Sequence, residues 1–250
     1  MNKFVKLVAI LKYPHYSAKM FHHGVAAGVE HSEVLSGLDC RTVVDIGANR
    51  GQFALVTRRC MPQARIISFE PLPSAAATFR AVFAGDDRVT LHEVAIGPVP
   101  GNATIHVSRR DDSSSLLPIT STQVALFPGT AEVATATIRV APLREFIPAA
   151  DIQAPALLKL DVQGFELEAL RGCEDMLGRF AYVYVECSFV ELYAGQALAD
   201  EVIAWLRERG LKLREVHNMD YDPDGRAIQG DFLFARNHLP QPHNCNFRKT

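Results

Sequence analysis

No run in the 250-residue sequence approaches the roughly 18–20 consecutive apolar residues that a membrane-spanning helix needs. Charge of one sign is also lacking: 26 Lys and Arg against 28 Asp and Glu leave a formal net charge of −2. No global positive field exists to gather phosphates, which disfavours a general nucleic-acid binder. The five cysteines, Cys40, Cys60, Cys173, Cys187 and Cys245, are odd in number, scattered and free of any CxxC pair. They resemble neither a disulfide framework nor a zinc site, and read as small apolar residues of a reducing, cytoplasmic compartment. A secretory signal is missing too, since Pro14 and His15 fall where its apolar stretch and cleavage site belong. Internal repeats are absent. What remains is 48% hydrophobic and 22% charged, the balance of a chain that folds around a core.

Residues 1–20 carry Lys3, Lys6, Lys12 and Lys19 with no acid, interleaved with Phe4, Val5, Leu7, Val8, Ile10 and Leu11. That spacing suits a short basic amphipathic helix that packs over the core or a partner subunit, with weak contact to an anionic membrane surface as the alternative. Residues 18–39 continue as one or two helical pieces. Adjacent His22 and His23 point in different directions on a helix, so with His31 they suggest packing rather than metal binding, and no metal site is expected.

From residue 41 short β-rich runs alternate with helical patterns, the signature of βαβ units on a parallel sheet. Strands are expected at 41–46, 64–69, 89–94, 156–161, 181–187, 211–217 and 231–235, and helices at 51–60, 74–83, 166–177 and 198–209. Asp222-Pro-Asp-Gly-Arg226 is a turn that makes the last two strands an antiparallel hairpin. The rhythm breaks at about 98–141. There 102–107 and 134–140 read as an inserted hairpin whose long loop, 108–129, lies over an edge of the sheet; such loops are usually lids or binding loops. The organisation is therefore an N-terminal helical segment (1–40), an α/β domain (41–236) with seven core strands, and a tail (237–250).

In an open α/β sheet ligands sit beyond the carboxyl ends of the strands. At the first such end stands Asp45-Ile46-Gly47-Ala48-Asn49-Arg50-Gly51-Gln52-Phe53, a tight turn opening a helix whose first N–H groups are unpaired. A dinucleotide site would show G-x-G-x-x-G; here the pattern is G-x-x-x-G with an acid two residues upstream. Asp45 would repel a pyrophosphate but can receive a cationic amine, which favours the amino-acid end of S-adenosylmethionine over NAD. Gly47, Ala48, Asn49, Gly51, Gln52 and Phe53 are the other expected cofactor-binding residues of this turn. Glu70-Pro71 ends the second strand, where an acid can accept hydrogen bonds from both ribose hydroxyls. Ala95, after the third strand, falls where an adenine ring would lie. Strand alternation places Lys159 and Asp161 on one face, with Asp161 at the strand's carboxyl end.

Taken in order, VVDIGANRGQF, SFEP, LLKLDVQGFELEAL, YVYVEC and DFLFARN resemble the FkbM-type S-adenosylmethionine-dependent methyltransferases over residues 41–236. The resemblance implies a class I methyltransferase (Rossmann-like) fold with a seven-stranded, mostly parallel sheet, and O-methylation of a hydroxyl on a sugar, glycan or secondary metabolite. Gln163 stands where that family often has Glu. Ser113-Ser114-Ser115 resembles a serine-containing stretch of the family, which makes Ser114 and Ser115 expected acceptor contacts, with Arg109 and Arg110 facing an anionic carrier.

A sulfonium methyl is already electrophilic, so alignment and water exclusion are the main tasks. An attacking alcohol must still lose its proton to a base within reach. Asp161 is the first candidate, and Glu186 and His217, read as ending the next strands, are the others. The readings left open beside this one are a nicotinamide-dependent oxidoreductase of similar fold and a non-catalytic nucleoside-binding module docked through its basic helix.

Overall fold

The computed structural model describes residues 3–236; the expected tail at 237–250 lies outside the described residues. The chain opens with α1 (Lys3–Leu11), α2 (Pro14–His23), a 3-10 turn at Val29–His31 and α3 (Ser32–Ser36). The basic helix expected within residues 1–20 is thus two helices. Pro14 has no N–H to continue α1 but suits the first turn of α2, and Gly24, at φ +67°, terminates that helix. Ile10 and Tyr16 pack the pair over the core, while Val5, Leu7, Val8 and Leu11 remain exposed.

Seven strands form the main sheet: β1 (Thr42–Ile46), β2 (Arg65–Phe69), β3 (Val89–His92), β7 (Ala156–Leu160), β8 (Tyr182–Ser188), β9 (Leu211–Tyr221) and β10 (Ala227–Arg236). Their order is β3-β2-β1-β7-β8-β10-β9, parallel from β3 to β8, with β10 antiparallel to β8 and β9. Crossovers run through α4 (Gln52–Cys60), α5 (Pro73–Val82), α7 (Glu166–Arg171) and α8 (Ala199–Glu208). Every residue of β1 and β7 is buried, as a parallel sheet covered on both faces requires. One face carries Val44, Ile46, Leu158, Leu160, Val183 and Val185. The other carries Val43, Leu157, Tyr182 and Tyr184 and is covered by α4 and the N-terminal segment.

Three sequence expectations change. The insertion is not a hairpin alone: β4 (Ala95–Ile96) joins β5 (Gly101–Ser108) and β6 (Glu132–Ala141) in a separate sheet of order β4-β6-β5. Its loop holds a 3-10 turn at Asp111–Ser113 and α6 (Ser121–Leu126), whose first turn is capped by the Thr120 side chain. The helix expected at 166–177 stops at Arg171 and resumes as a 3-10 helix, Glu174–Arg179. The break falls where Gly172 lies against the Gly97 backbone, so closely that a Cβ there would sit 2.7 Å from Gly97 C and O. Finally, β9 runs on to Tyr221, which makes His217 an interior residue of the strand rather than its end.

Candidate active site

The turn after β1 is built by backbone geometry that side chains would destroy. Gly47 has φ +77°, and a Cβ there would fall 1.8 Å from the Asp161 carbonyl oxygen. The N–H groups of Gly47 and Ala48 both donate to the Phe69 carbonyl at 3.0 Å, tying the turn to the end of β2. Asn49 follows at φ +45°, and its N–H donates to Glu70 Oε2 at 2.9 Å. Glu70 Oε1 accepts from Leu72 N–H at 2.8 Å. Burial pushes the Glu70 carboxyl up to about 7 against the pull of these two bonds. Each oxygen keeps a lone pair beyond the one in use, so the group can still accept from hydroxyls.

Beyond these strand ends lies a cavity of about 220 Å³ that is open to solvent. Its apolar lining includes Leu72, Ala95, Ile96, Leu116, Val162 and Phe165, together with Glu70 and Pro71. Its polar lining includes Lys6, Glu30, His31, Asp111, Ser114 and Asp161. Gly47, Ala48, Asn49, Gln52 and Phe53 also line it. Of the expected cofactor-binding residues, Asp45 and Gly51 are the two that do not line it.

Asp45 is a correction. It is wholly buried in β1, opposite Lys159 of β7, and its Oδ1 lies 3.1 Å from Lys159 Nζ. Its charge faces the lysine beneath the turn, and it does not line the cavity. Gly51 caps α4 at φ +94°, where a Cβ would meet the Phe83 ring at 2.5 Å; its role is to shape the turn. Gln52 Oε1 is buried without a hydrogen-bond partner among the described residues, and this residue does line the cavity.

The three expected bases part company. Asp161 reaches the cavity, 3.8 Å from Lys159 Nζ, and its Oδ1 accepts from Gln163 Nε2 at 2.7 Å. Gln163, at φ +55°, uses the same amide nitrogen to reach Glu186 Oε2 at 2.9 Å. Glu186 Oε1 also accepts from Gln229 Nε2 at 3.2 Å, so this carboxyl is held behind Gln163 and does not line the cavity. Burial first, and then the neighbouring Asp161, Asp231 and Glu166, push it well above the usual carboxyl range. His217 pairs with Glu215 at 3.0 Å and lies beside Tyr184, with ring centroids 6.4 Å apart, outside the cavity lining. Neither Glu186 nor His217 lines the cavity.

The insertion closes over this cavity and is pinned there. Arg50 binds Asp111 through Nε (2.8 Å) and Nη2 (2.7 Å). Tyr193 Oη lies 2.7 Å from Gln163 Oε1 and 3.1 Å from the Ser113 carbonyl. Ser115 donates to the Gln163 carbonyl at 2.5 Å and accepts from Leu117 N–H, so its hydroxyl serves the scaffold rather than an acceptor. Ser114 accepts from Ser108 N–H, keeps its own proton and lines the cavity. Arg109 and Arg110 are exposed and outside the lining, with Arg110 paired to Asp112. Sequence reasoning missed Lys6, Glu30 and His31. The N-terminal segment offers no motif, and only its packing over β7 and β8 brings them in; the one available signal was a Glu-His pair beside a basic helix.

Sequence comparison places this geometry among known proteins. The chain is 30% identical over 179 residues to the 2-O-methyltransferase NoeI of Sinorhizobium fredii, covering 66% of this chain and 72% of that protein. It is 31% identical over 146 residues to the hexuronic acid methyltransferase AglP of Haloferax volcanii, covering 57% of this chain and 54% of that protein. The fold is shared with cofactor-bound Rv0187 from MTB, at a TM-score of 0.50 and 15% identity, over 93% of this chain and 94% of that one. The family model described as Methyltransferase FkbM domain matches residues 45–213, which span β1 with its turn, the insertion, Asp161 and Gln163. That stretch contains most of the cavity wall, and by it the chain belongs to the FkbM family of methyltransferases.

Proposed function

We propose that the protein is an S-adenosylmethionine-dependent O-methyltransferase whose acceptor is a hydroxyl on a sugar, a glycan or a secondary metabolite. The observation that carries the reading is the mixed lining of the cavity at the strand ends. Apolar side chains and a buried carboxylate suit a nucleoside, and the same cavity is lined by further carboxylates, an imidazole and a serine hydroxyl. The residues present fit the cofactor. Glu70 has lone pairs for ribose hydroxyls, Ala95, Ile96, Leu116 and Phe165 suit a flat base, and the orphaned Gln52 Oε1 suits an ammonium. The cofactor supplies an activated methyl group. The chain's own residues bind it, orient the acceptor and, through the pinned insertion, keep water out. The activities for which the two relatives are named, 2-O-methylation and hexuronic acid methylation, support a sugar acceptor over a nitrogen one. A nicotinamide-dependent reading loses its ground with the family match.

Calorimetry with S-adenosylhomocysteine tests the cofactor half. The parent protein binds, and Glu70→Ala weakens binding by about tenfold or more, as loss of hydrogen bonds to a charged group implies. A folded parent that binds no adenosyl ligand ends the proposal. For the acceptor half, the protein is incubated with labelled S-adenosylmethionine and a panel of methyl glycosides, hexuronides included. Label recovered as a base-stable methyl ether supports O-methylation of a hydroxyl, whereas a base-labile methyl ester or an N-methyl product overturns it.

A further inference from the structure

We propose that His31 is the general base that takes the proton of the acceptor hydroxyl, with Asp231, working through Tyr184, as the group that fixes its tautomer; the inference rests on the hydroxyl-methylation reading above. His31 is the one histidine among the described residues that lines the cavity. It sits on the 3-10 turn Val29–His31, which is tied to the head of α4 by the Gly28 N–H donating to the Gln52 carbonyl at 2.9 Å. The ring is gripped edge-on by Phe53 (5.3 Å between centroids) and Tyr184 (5.7 Å). Gly28 passes so close that a Cβ there would lie 3.0 Å from His31 Cδ2. A ring held on three sides has lost its rotational freedom before any acceptor arrives.

The hydrogen bonds on one edge decide which nitrogen faces the cavity with a lone pair. Tyr184 donates its hydroxyl proton to Asp231 Oδ2 at 3.1 Å, and Asn218 Nδ2 donates to the same oxygen at 2.8 Å. With its proton committed, Tyr184 Oη can only accept from His31 Nδ1, 3.1 Å away. Asp231 Oδ2 itself lies 3.5 Å from Nδ1, close enough to stabilise an imidazolium once it forms. Asn218 Nδ2, a donor, also stands 3.4 Å from Nδ1, but this is longer than its 2.8 Å bond to Asp231 and than the 3.1 Å contact of Nδ1 with Tyr184 Oη. The shorter contact therefore assigns the proton of the neutral ring to Nδ1 and leaves the Nε2 lone pair free, with no partner among the described residues. Base, relay and carboxylate arranged in this way are what orient a histidine for proton abstraction. Of the carboxylates that line the cavity, Asp161 is engaged by Gln163 Nε2 at 2.7 Å and lies 3.8 Å from Lys159 Nζ, Asp111 is bound by Arg50 and Glu30 by Lys6.

The step balances as follows. The acceptor oxygen forms a bond to the methyl carbon and its proton passes to His31 Nε2. The methyl–sulfur bond breaks, its electron pair remains on sulfur as a neutral thioether, and the imidazolium charge is opposed by Asp231. The charged and titratable groups around the ring are Asp231 on β10, Tyr184 on β8, Asp45 on β1 and the Glu30–Lys6 pair (2.7 Å) of the N-terminal segment, with His217 on β9 behind Tyr184.

Two measurements on the full chain test this. Nitrogen-15 imidazole NMR of the ligand-free protein should show neutral His31 as the Nδ1–H tautomer, and Asp231→Asn should abolish that preference; an Nε2–H ring in the parent overturns the proposal without any acceptor being needed. His31→Gln should bind S-adenosylhomocysteine within threefold of the parent while kcat on the glycoside panel falls by about 10²–10⁴, and added imidazole should restore part of the rate to His31→Ala. Turnover in His31→Gln equal to the parent overturns the role of His31. Absence of S-adenosylhomocysteine binding or of any methyl ether in the parent, with the Nδ1–H tautomer in place, is instead a failure of the underlying function.

Discussion

Lys159 Nζ stands 3.1 Å from Asp45 Oδ1 and 3.8 Å from Asp161 Oδ2, and donates to the Gly47 carbonyl at 2.9 Å. Burial alone would push this ammonium down, but Asp45 and Asp161 more than restore it, and the lysine carries its charge inside the sheet. It thereby fixes the glycine-rich turn from below and places Asp161 at the cavity floor. Removing one partner of such a pair leaves an uncompensated buried charge, so Lys159→Ala should lower unfolding stability by about 3–5 kcal/mol in urea titration. The pair Lys159→Met with Asp45→Asn should recover more than half of that loss; a double-variant loss equal to the sum of the two single-variant losses would mean the two charges act independently. Period-two alternation already put Lys159 and Asp161 on one face. What alternation could not supply was the partner: Asp45 meets Lys159 only because β1 pairs with β7, a register between residues 114 positions apart in the chain. The same limit made Asp45 look free to bind a ligand.

Strands and crossover helices were readable wherever an element obeys its own period, as β1, α4, β2 and α5 do. They were not readable where tertiary packing overrides local preference. The sequence Glu166 to Leu177 has a continuous helical pattern, yet the helix ends at Arg171, because Gly172 must lie against Gly97 and its carbonyl accepts from Leu143 N–H at 3.0 Å. Likewise β4 is two residues long and exists only by pairing with β6. The packing account of the break makes a prediction with an internal control. Gly172→Ala forces a methyl group into the Gly97 backbone and should cost about 1–3 kcal/mol, as overpacking does. Gly178, six residues later in the 3-10 helix, has nothing within 4 Å of a Cβ, and Gly178→Ala should stay within about 0.5 kcal/mol of the parent. Thermal denaturation of both variants decides it: similar losses at the two positions would mean that helix continuity, rather than the glycine contact, sets the break.

Across the whole molecule, the site is a parallel sheet's carboxyl edge closed by two segments that break its alternation, the N-terminal helices and the insertion. The turn after β1, Glu70 and Asp161 were legible because they sit in contiguous motifs; His31 and Asp111 were not, because only the fold brings them to the cavity wall. Gathering acids at one edge has a consequence for the stability of the entire chain. Burial pushes Glu70 and Glu166 each up to about 7 from an ordinary 4.5, although Glu166 Oε1 accepts from the N–H groups of Val162 and Gly164, both at 3.1 Å. Burial also raises Glu186 and Asp231. A carboxyl whose folded pKa exceeds its unfolded value binds more protons in the folded state between the two values. The stability it contributes is whole below about 4.5 and is lost as the pH rises through about 7. For Glu166 a shift of that size corresponds to roughly 3 kcal/mol. Glu166→Gln keeps the shape and an oxygen to accept both N–H bonds but cannot ionise, so the variant should gain on the parent as the pH rises from 5 to 8, by up to that amount. Urea titrations of parent and variant at several pH values in this window measure the gap directly. A gap that stays constant with pH would mean that Glu166 titrates alike in the folded and unfolded chains, and that its buried carboxylate is fully stabilised by the loop it caps.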